Sequence, residues 1–168
     1  MANLQDFTPN ADNTRAFRSA LGRFGTGITV VTAPSADGPV GVTANSFSSV
    51  SMDPPLVLWS PSKSSRRAAY FTRSSHFAIH VLSQDQADIG NGFAKNAFAF
   101  DGLDWRPGQG DVPLIKGCLA RFECSRHAIH DGGDHHIMVG RVDRVTTADG
   151  SDPLLFFCGQ YGRFQAAG

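Results

Sequence analysis

The apolar positions of this chain fall into two periods. Near its start, Phe17, Ala20, Leu21 and Phe24 recur at helical spacing behind the capping candidates Asp12, Asn13 and Thr14, and Gly25 and Gly27 end the run. The period then shortens. ITVVTA (28–33), VGVTANSF (40–47) and PLVLWS (55–60) are β-branched or aromatic runs cut by Pro, Gly, Asp and Ser, and they predict strands. SSRRAAYFTRS (64–74) predicts a short helix begun by serines. HFAIHVL (76–82) alternates as a strand, with Phe77, Ile79 and Val81 on one face and His76 and His80 on the other. SQDQADIGNGFA (83–94) predicts a further helix capped by Ser83, before a Gly-, Asp- and Pro-rich loop over 95–113. CLARFECSRHAIH (118–130) and HHIMVGRVDRVTT (135–147) predict two strands joined at a hairpin by DGGD (131–134). PLLFFCGQYGRF (153–164) supplies a last strand and an aromatic tail.

Many short strands with turn signals and few helices predict a mainly β fold, a closed or nearly closed barrel decorated with helices. Nothing marks a repeat or a boundary, so residues 1–168 form one domain. A chain of 168 residues buries about two thirds of its unfolded surface and needs no staples.

Charge and cysteines narrow the function classes. Fifteen basic residues balance fifteen acidic ones, so no net field attracts nucleic acid or an anionic membrane. No apolar run approaches the roughly 18 residues of a membrane span, and the polar start MANLQDFTPNADN lacks a signal core, so a cytoplasmic protein is expected. Cys118, Cys124 and Cys158 are odd in number and form no Cys-x-x-Cys pair, which predicts buried apolar residues in a reducing compartment.

Three stretches carry candidate chemistry. HDGGDHHIMVGRV (130–142) holds three of the six histidines, but His135 and His136 diverge on a strand, as do His127 and His130, and no spacing specifies a metal. GVTANSFSSVSMDPP (41–55) crowds Thr43, Asn45, Ser46, Ser48, Ser49 and Ser51 between apolar strands. It reads equally as a solvated turn or as the seat of a flat heteroaromatic ligand edged with carbonyls. SPSKSSRR (60–67) sets Ser60, Lys63, Ser64 and Ser65 ahead of a helical run, either a capped helix or a phosphate seat. Gly-x-Ser-x-Gly, Walker and Gly-x-Gly-x-x-Gly signatures are absent, which argues against serine hydrolases, P-loop enzymes and Rossmann dehydrogenases.

Taken in order, FRSALGRFGTGITVVTA, GVTANSFSSVSMDPPLVLWS, SKSSRR, FAIHVLSQDQ, GFA, FDGLDW, PLIKGCLARFEC, GGDHHIMVGRV and PLLFFCGQYGRF span nearly the whole chain. Together they resemble the flavin reductase family, whose FMN-binding split barrel is Greek-key-like, the reductase partners of two-component flavin-dependent monooxygenases. The resemblance implies hydride transfer from NADH, or NADPH, to FMN or FAD, a homodimer, and a separate oxygenase that takes the reduced flavin. It implies that Thr43, Ala44, Asn45 and Ser46 meet the isoalloxazine and ribityl groups, that Lys63, Ser64 and Ser65 hold the phosphate, and that Phe93 and Ala94 lie nearby. Gly133, Asp134 and His135 match the pyridine-nucleotide motif, which sets His135 beside the nicotinamide, and Tyr161 helps close the site. Two residues depart from the pattern: Arg67 stands where many relatives carry threonine, and His80 where they carry asparagine. A flavin carrier or sensor, and a split-barrel flavoenzyme acting on another small molecule, are the alternatives.

Overall fold

The computed structural model describes residue 4, residues 6–150 and residues 152–166. Helix α1 (Thr14–Leu21) leads to strands β1 (Thr26–Gly27), β2 (Thr29–Ala33), β3 (Val40–Ala44), β4 (Ser48–Met52) and β5 (Pro55–Trp59). Then come α2 (Ala68–Arg73), β6 (His76–Val81), α3 (Ala87–Lys95), β7 (Trp105–Pro107) and β8 (Pro113–Ile115). A long hairpin of β9 (Ala120–Gly132) and β10 (His135–Thr147) precedes β11 (Leu155–Phe157) and β12 (Gln160–Gly162). No helix among the described residues is long and apolar enough to cross a membrane.

Seven strands form the main antiparallel sheet, in the order β3-β2-β6-β9-β10-β5-β4. Its two edges, β3 and β4, are consecutive in the chain and joined only by residues 45–47. Laid flat, six strand spacings would hold those edges about 29 Å apart. The four residue steps from Ala44 to Ser48 reach at most about 14 Å. The sheet therefore curls toward a barrel that stays open between β3 and β4, which share no ladder, with the end of β3 held near the start of β4 at this seam. Two register shifts in the long hairpin, at Val139/Gly140 and Val142/Arg144, help the bend. At Gly140 a Cβ would lie 2.5 Å from the Phe77 ring, so the curved backbone packs directly on an aromatic of the core.

Strand β2 is buried throughout because it faces two cores. Val31 and Ala33 point into the barrel with Trp59, Phe71, Phe77, Ile79 and Met138. Val30 points the other way, into a cluster of Ile28, Leu82, Phe93, Phe100, Ile115 and Leu154 under α3 and the loop after it. That explains why ITVVTA reads as a continuous apolar run rather than an alternating one.

Several elements differ from the sequence expectation. The 40–47 run divides at Ala44, and β4 follows as an unexpected strand whose Val50 and Met52 lie on the solvent side, so its serines gave no inward alternation. The 64–74 helix shrinks to α2, with no side-chain cap, because residues 62–65 turn instead and Ser65 O accepts from Ala68 N. The 131–134 connection tightens to Gly133 and Asp134, with φ 76° at Gly133, the sign pattern of a type II′ turn. The expected 95–113 loop contains β7 and runs into β8, with which β7 pairs. The predicted last strand is a hairpin, β11–β12, that turns on Cys158 (φ 49°) and Gly159 (φ 83°). Cys158 is exposed there, correcting its expected burial, while Cys118 and Cys124 are buried and burial pushes their thiols up to about 11 and about 12.

His80, on the outer face of β6, is wholly buried and bridges two elements. Its Nδ1 donates to Val30 O at 3.0 Å, and its Nε2 accepts from Ile115 N at 3.1 Å. Acceptance at Nε2 requires the neutral ring, with its proton on Nδ1. Burial, with a smaller push from the Arg121 charge, lowers its pKa to about 4 against the opposing hydrogen bond to Val30. An unfolded chain takes up this proton near pH 6.5, whereas the folded one resists until about 4, so stability contributed by the neutral ring is lost as pH falls across that window. The loss is on the order of 3 kcal/mol. Urea unfolding at pH 7.5 and 4.5 should show it, and His80→Asn should remove that part of the pH slope; identical slopes in the two proteins would contradict the assignment.

Candidate active site

The tip of the β9–β10 hairpin is pinned against the chain that leaves β5. Lys63 N donates to Asp134 O and His136 N to Pro61 O, both at 2.9 Å, and Ser62 makes an antiparallel bridge with His135. The Lys63 ammonium forms an ion pair with Asp131, whose carboxyl this hydrogen bond holds below the usual carboxylate range. Asp131 also accepts from Gly133 N, which ties the turn to its own strand.

Beside this tip, at the barrel seam, lies a cavity of about 770 Å³. The end of β3 and the connection after it contribute Val42, Thr43, Ala44, Asn45 and Ser46, and the end of β5 contributes Trp59, Ser60, Pro61 and Ser62. Ser65, Arg67, Ala68 and Phe71 come from α2 and the turn before it, Ala94 from α3, and Gly132, His135 and Ile137 from the hairpin. Trp59 packs edge-on against Phe71 at 5.0 Å, and its buried Nε1 has no partner among the described residues. Thr43 Oγ1 donates to Gly90 O at 2.6 Å, tying β3 to α3, and Ser60 N donates to Ser46 Oγ at 2.9 Å, tying the connection to β5. The lining thus combines large and small apolar groups with hydroxyls, the Asn45 amide, Arg67 and His135, and among the described residues no carboxylate lines the cavity.

Strand parity sorts the histidines. His135 and Ile137 share the face that lines the cavity; His136 and the buried Met138 point the other way. His135 Nδ1 donates to Asp134 Oδ1 at 2.7 Å, a bond that holds the Asp134 carboxyl below the usual range. It fixes the ring's tautomer and leaves Nε2 for a ligand. Among the described residues no group of three His, Cys, Asp or Glu side chains is placed to hold a metal ion.

Of the sequence-predicted site residues, Thr43, Ala44, Asn45, Ser46, Ser60, Ser65, Ala94 and His135 meet in this cavity. Gly133 and Asp134 form the turn that orients His135. Phe93 is fully buried against Gly41, and only its carbonyl serves the site, accepting from Arg67. Lys63 and Ser64 are not among the lining residues: Lys63 is held by Asp131, and Ser64 Oγ pairs with Ser62 Oγ at 2.9 Å. Tyr161 packs on Phe156 and close to Gly90, and it too is absent from the lining. Sequence reasoning missed Trp59, Phe71 and Ile137 as lining residues, because an apolar side chain that walls a cavity has the same pattern as one that fills a core.

Known proteins share this sequence and fold. The chain is 57% identical over 164 residues, 98% of its length and 94% of the relative's, to the FMN reductase (NADH) SmoA of Agrobacterium fabrum. It is 42% identical to the flavin-dependent monooxygenase reductase subunit HsaB of Mycobacterium tuberculosis, over 88% of this chain and 80% of that one. The solved structure of the NADH:FAD oxidoreductase SgcE6 of Streptomyces globisporus superposes with a TM-score of 0.91, at 36% identity, covering 100% of this chain and 96% of that one. SgcE6 has also been solved in complex with NAD and FAD fragments. Residues 21–165 match the flavin reductase like domain, and the chain belongs to the flavin reductase family.

Proposed function

We propose that this protein is an NADH-dependent flavin reductase that passes a hydride to FMN and supplies the reduced flavin to a separate oxygenase in the cytoplasm. The observation that carries the reading is the seam cavity, which sets the Thr43–Ala44–Asn45–Ser46 stretch and the hairpin residue His135 around one space. Its volume lies within the range of small-molecule sites and its lining fits a flat polar-edged ring. The names of SmoA and HsaB support the electron donor, the acceptor and the oxygenase partner.

When both are bound, the nicotinamide supplies a hydride at C4 and the flavin an acceptor at N5. The chain's own task is to hold two flat rings about 3–3.5 Å apart. Ala44, Ala94 and Gly132 leave room for that approach, while Trp59, Phe71 and Ile137 exclude water. The exposed Asn45 amide and the backbone N–H groups of the seam donate toward negative charge developing on the ring. His135, held by Asp134 through Nδ1, would offer Nε2 to the bound nicotinamide nucleotide and so act as a positioning residue.

In anaerobic solution, one NADH should be consumed for each added FMN reduced, followed by absorbance. His135→Ala should raise the apparent KM for NADH about tenfold while changing FMN affinity far less. FMN binding without NADH oxidation would favour the carrier alternative and overturn the reading.

The reading includes a homodimer. Helix α1 buries none of its residues: its Phe17 and Leu21 are 42% and 60% exposed, Phe24 just after it is 78% exposed, and Phe157 and Phe164 are also open to solvent. A second copy that covers this face removes an otherwise costly apolar surface. Sedimentation equilibrium should give twice the 18.0 kDa chain mass, and a Leu21→Glu, Phe24→Glu double variant should shift it toward the monomer. A monomeric native protein would contradict this part of the reading.

A further inference from the structure

We propose that Arg67 reads the phosphate of the flavin, and that Arg67 rather than Lys63 sets this protein's preference for phosphorylated flavins. The inference rests on the flavin reductase reading of the cavity and assigns the end of that site which the sequence left to the serines and Lys63.

The cavity at the seam is continued by a second pocket of about 400 Å³, and Ser65 and Arg67 line both. Arg66 and Lys95 add two further cations to the second pocket, and no carboxylate lines either space. In a chain whose charges sum to zero, three cations line this pocket, and the Asp37 carboxylate that accepts from the lining Tyr70 hydroxyl at 2.9 Å is outnumbered by them, so the mouth of the ligand cavity favours an anion.

Arg67 and Lys63 differ in what holds them. The Arg67 guanidinium donates Nη1 to Phe93 O and Nη2 to Ala94 O, the carbonyls at the C-terminal end of α3. These carbonyls fix the planar group at the negative end of α3 and carry no formal charge, so Arg67 has no carboxylate partner among the described residues. A guanidinium carries five N–H groups, so this anchoring leaves donors for a ligand in the forked geometry that suits phosphate oxygens. The Lys63 ammonium instead faces the Asp131 carboxylate, which cancels its charge, and its backbone N–H is spent on Asp134. Lys63 thus works as a clasp on the hairpin. Ser65 strengthens the assignment: its Oγ accepts from Arg67 N at 3.2 Å, and its own hydroxyl proton has no acceptor among the described residues.

Riboflavin offers the test, because it has the reacting ring of FMN without the phosphate. NADH oxidation with each flavin gives a ratio of kcat/KM values that isolates phosphate recognition from hydride transfer. The native protein should prefer FMN by about ten- to a hundredfold, the range of charge-assisted hydrogen bonds. Arg67→Thr should collapse that preference through the KM for FMN, with folding of the variant checked separately by circular dichroism. Arg67→Lys, which retains a point charge without the fork, should fall between the two and provides the test should loss of the α3 anchor unfold the threonine variant. Lys63→Ala should keep the preference for FMN and raise the KM for NADH, as a loosened hairpin requires. An unchanged preference in Arg67→Thr or Arg67→Lys, or its loss in Lys63→Ala, overturns the inference. Failure of the native protein to oxidise NADH with either flavin overturns the functional reading beneath it, so the two failures are distinguishable.

Discussion

Three residues, 45–47, tether the two edges of a seven-stranded sheet, and much of the molecule follows from that constraint. A link that short cannot span a flat sheet, so the sheet must curl, and the curl brings the end of β3 to the start of β4. The two edges do not pair, which leaves a seam. Unpaired strand edges are a hazard on most surfaces because their N–H and C=O groups recruit other chains. Here the connection across the seam carries Asn45 and Ser46 into a ligand cavity, so a liability of sheet architecture becomes a set of polar groups at a binding site.

The second half of the site depends on the hairpin that reaches this seam. β9 and β10 run 13 residues each, the longest strands among the described residues, and beyond the shift at Val139/Gly140 their ladder is unbroken from the Val139–Ala128 pair to the Gly132–His135 pair. A two-residue turn then sets the parity of every side chain near the tip. One slip of register would turn His135 away and bring His136 into the cavity. The bonds from residues 61–63 to the tip, together with the Lys63–Asp131 pair, hold that register where the strand leaves the sheet.

Much of this was legible in the sequence. The strands around the barrel, the hairpin and the divergence of its adjacent histidines came from period and turn chemistry, and the residues of TANS met in the cavity with His135. What escaped was set by long-range geometry. β4 is an edge strand whose serines and outward Val50 and Met52 carry no buried face, so periodicity could not find it. The pairing that commits Lys63 to Asp131 spans 68 residues, and the carbonyls that fix Arg67 lie 26 and 27 residues away, so neither role is visible in a local motif. Trp59 and Phe71 line the cavity from positions that the sequence marks only as core.

The central claim is that the seam and the hairpin hold a nicotinamide and a flavin face to face in one fixed orientation. NADH carrying deuterium on one or the other face of C4 tests it most directly, with the isotope content of the NAD product read by mass spectrometry after turnover with FMN. A cavity of fixed shape predicts that the label is lost completely from one face and retained completely on the other. A mixture of labelled and unlabelled product from either substrate would contradict the account.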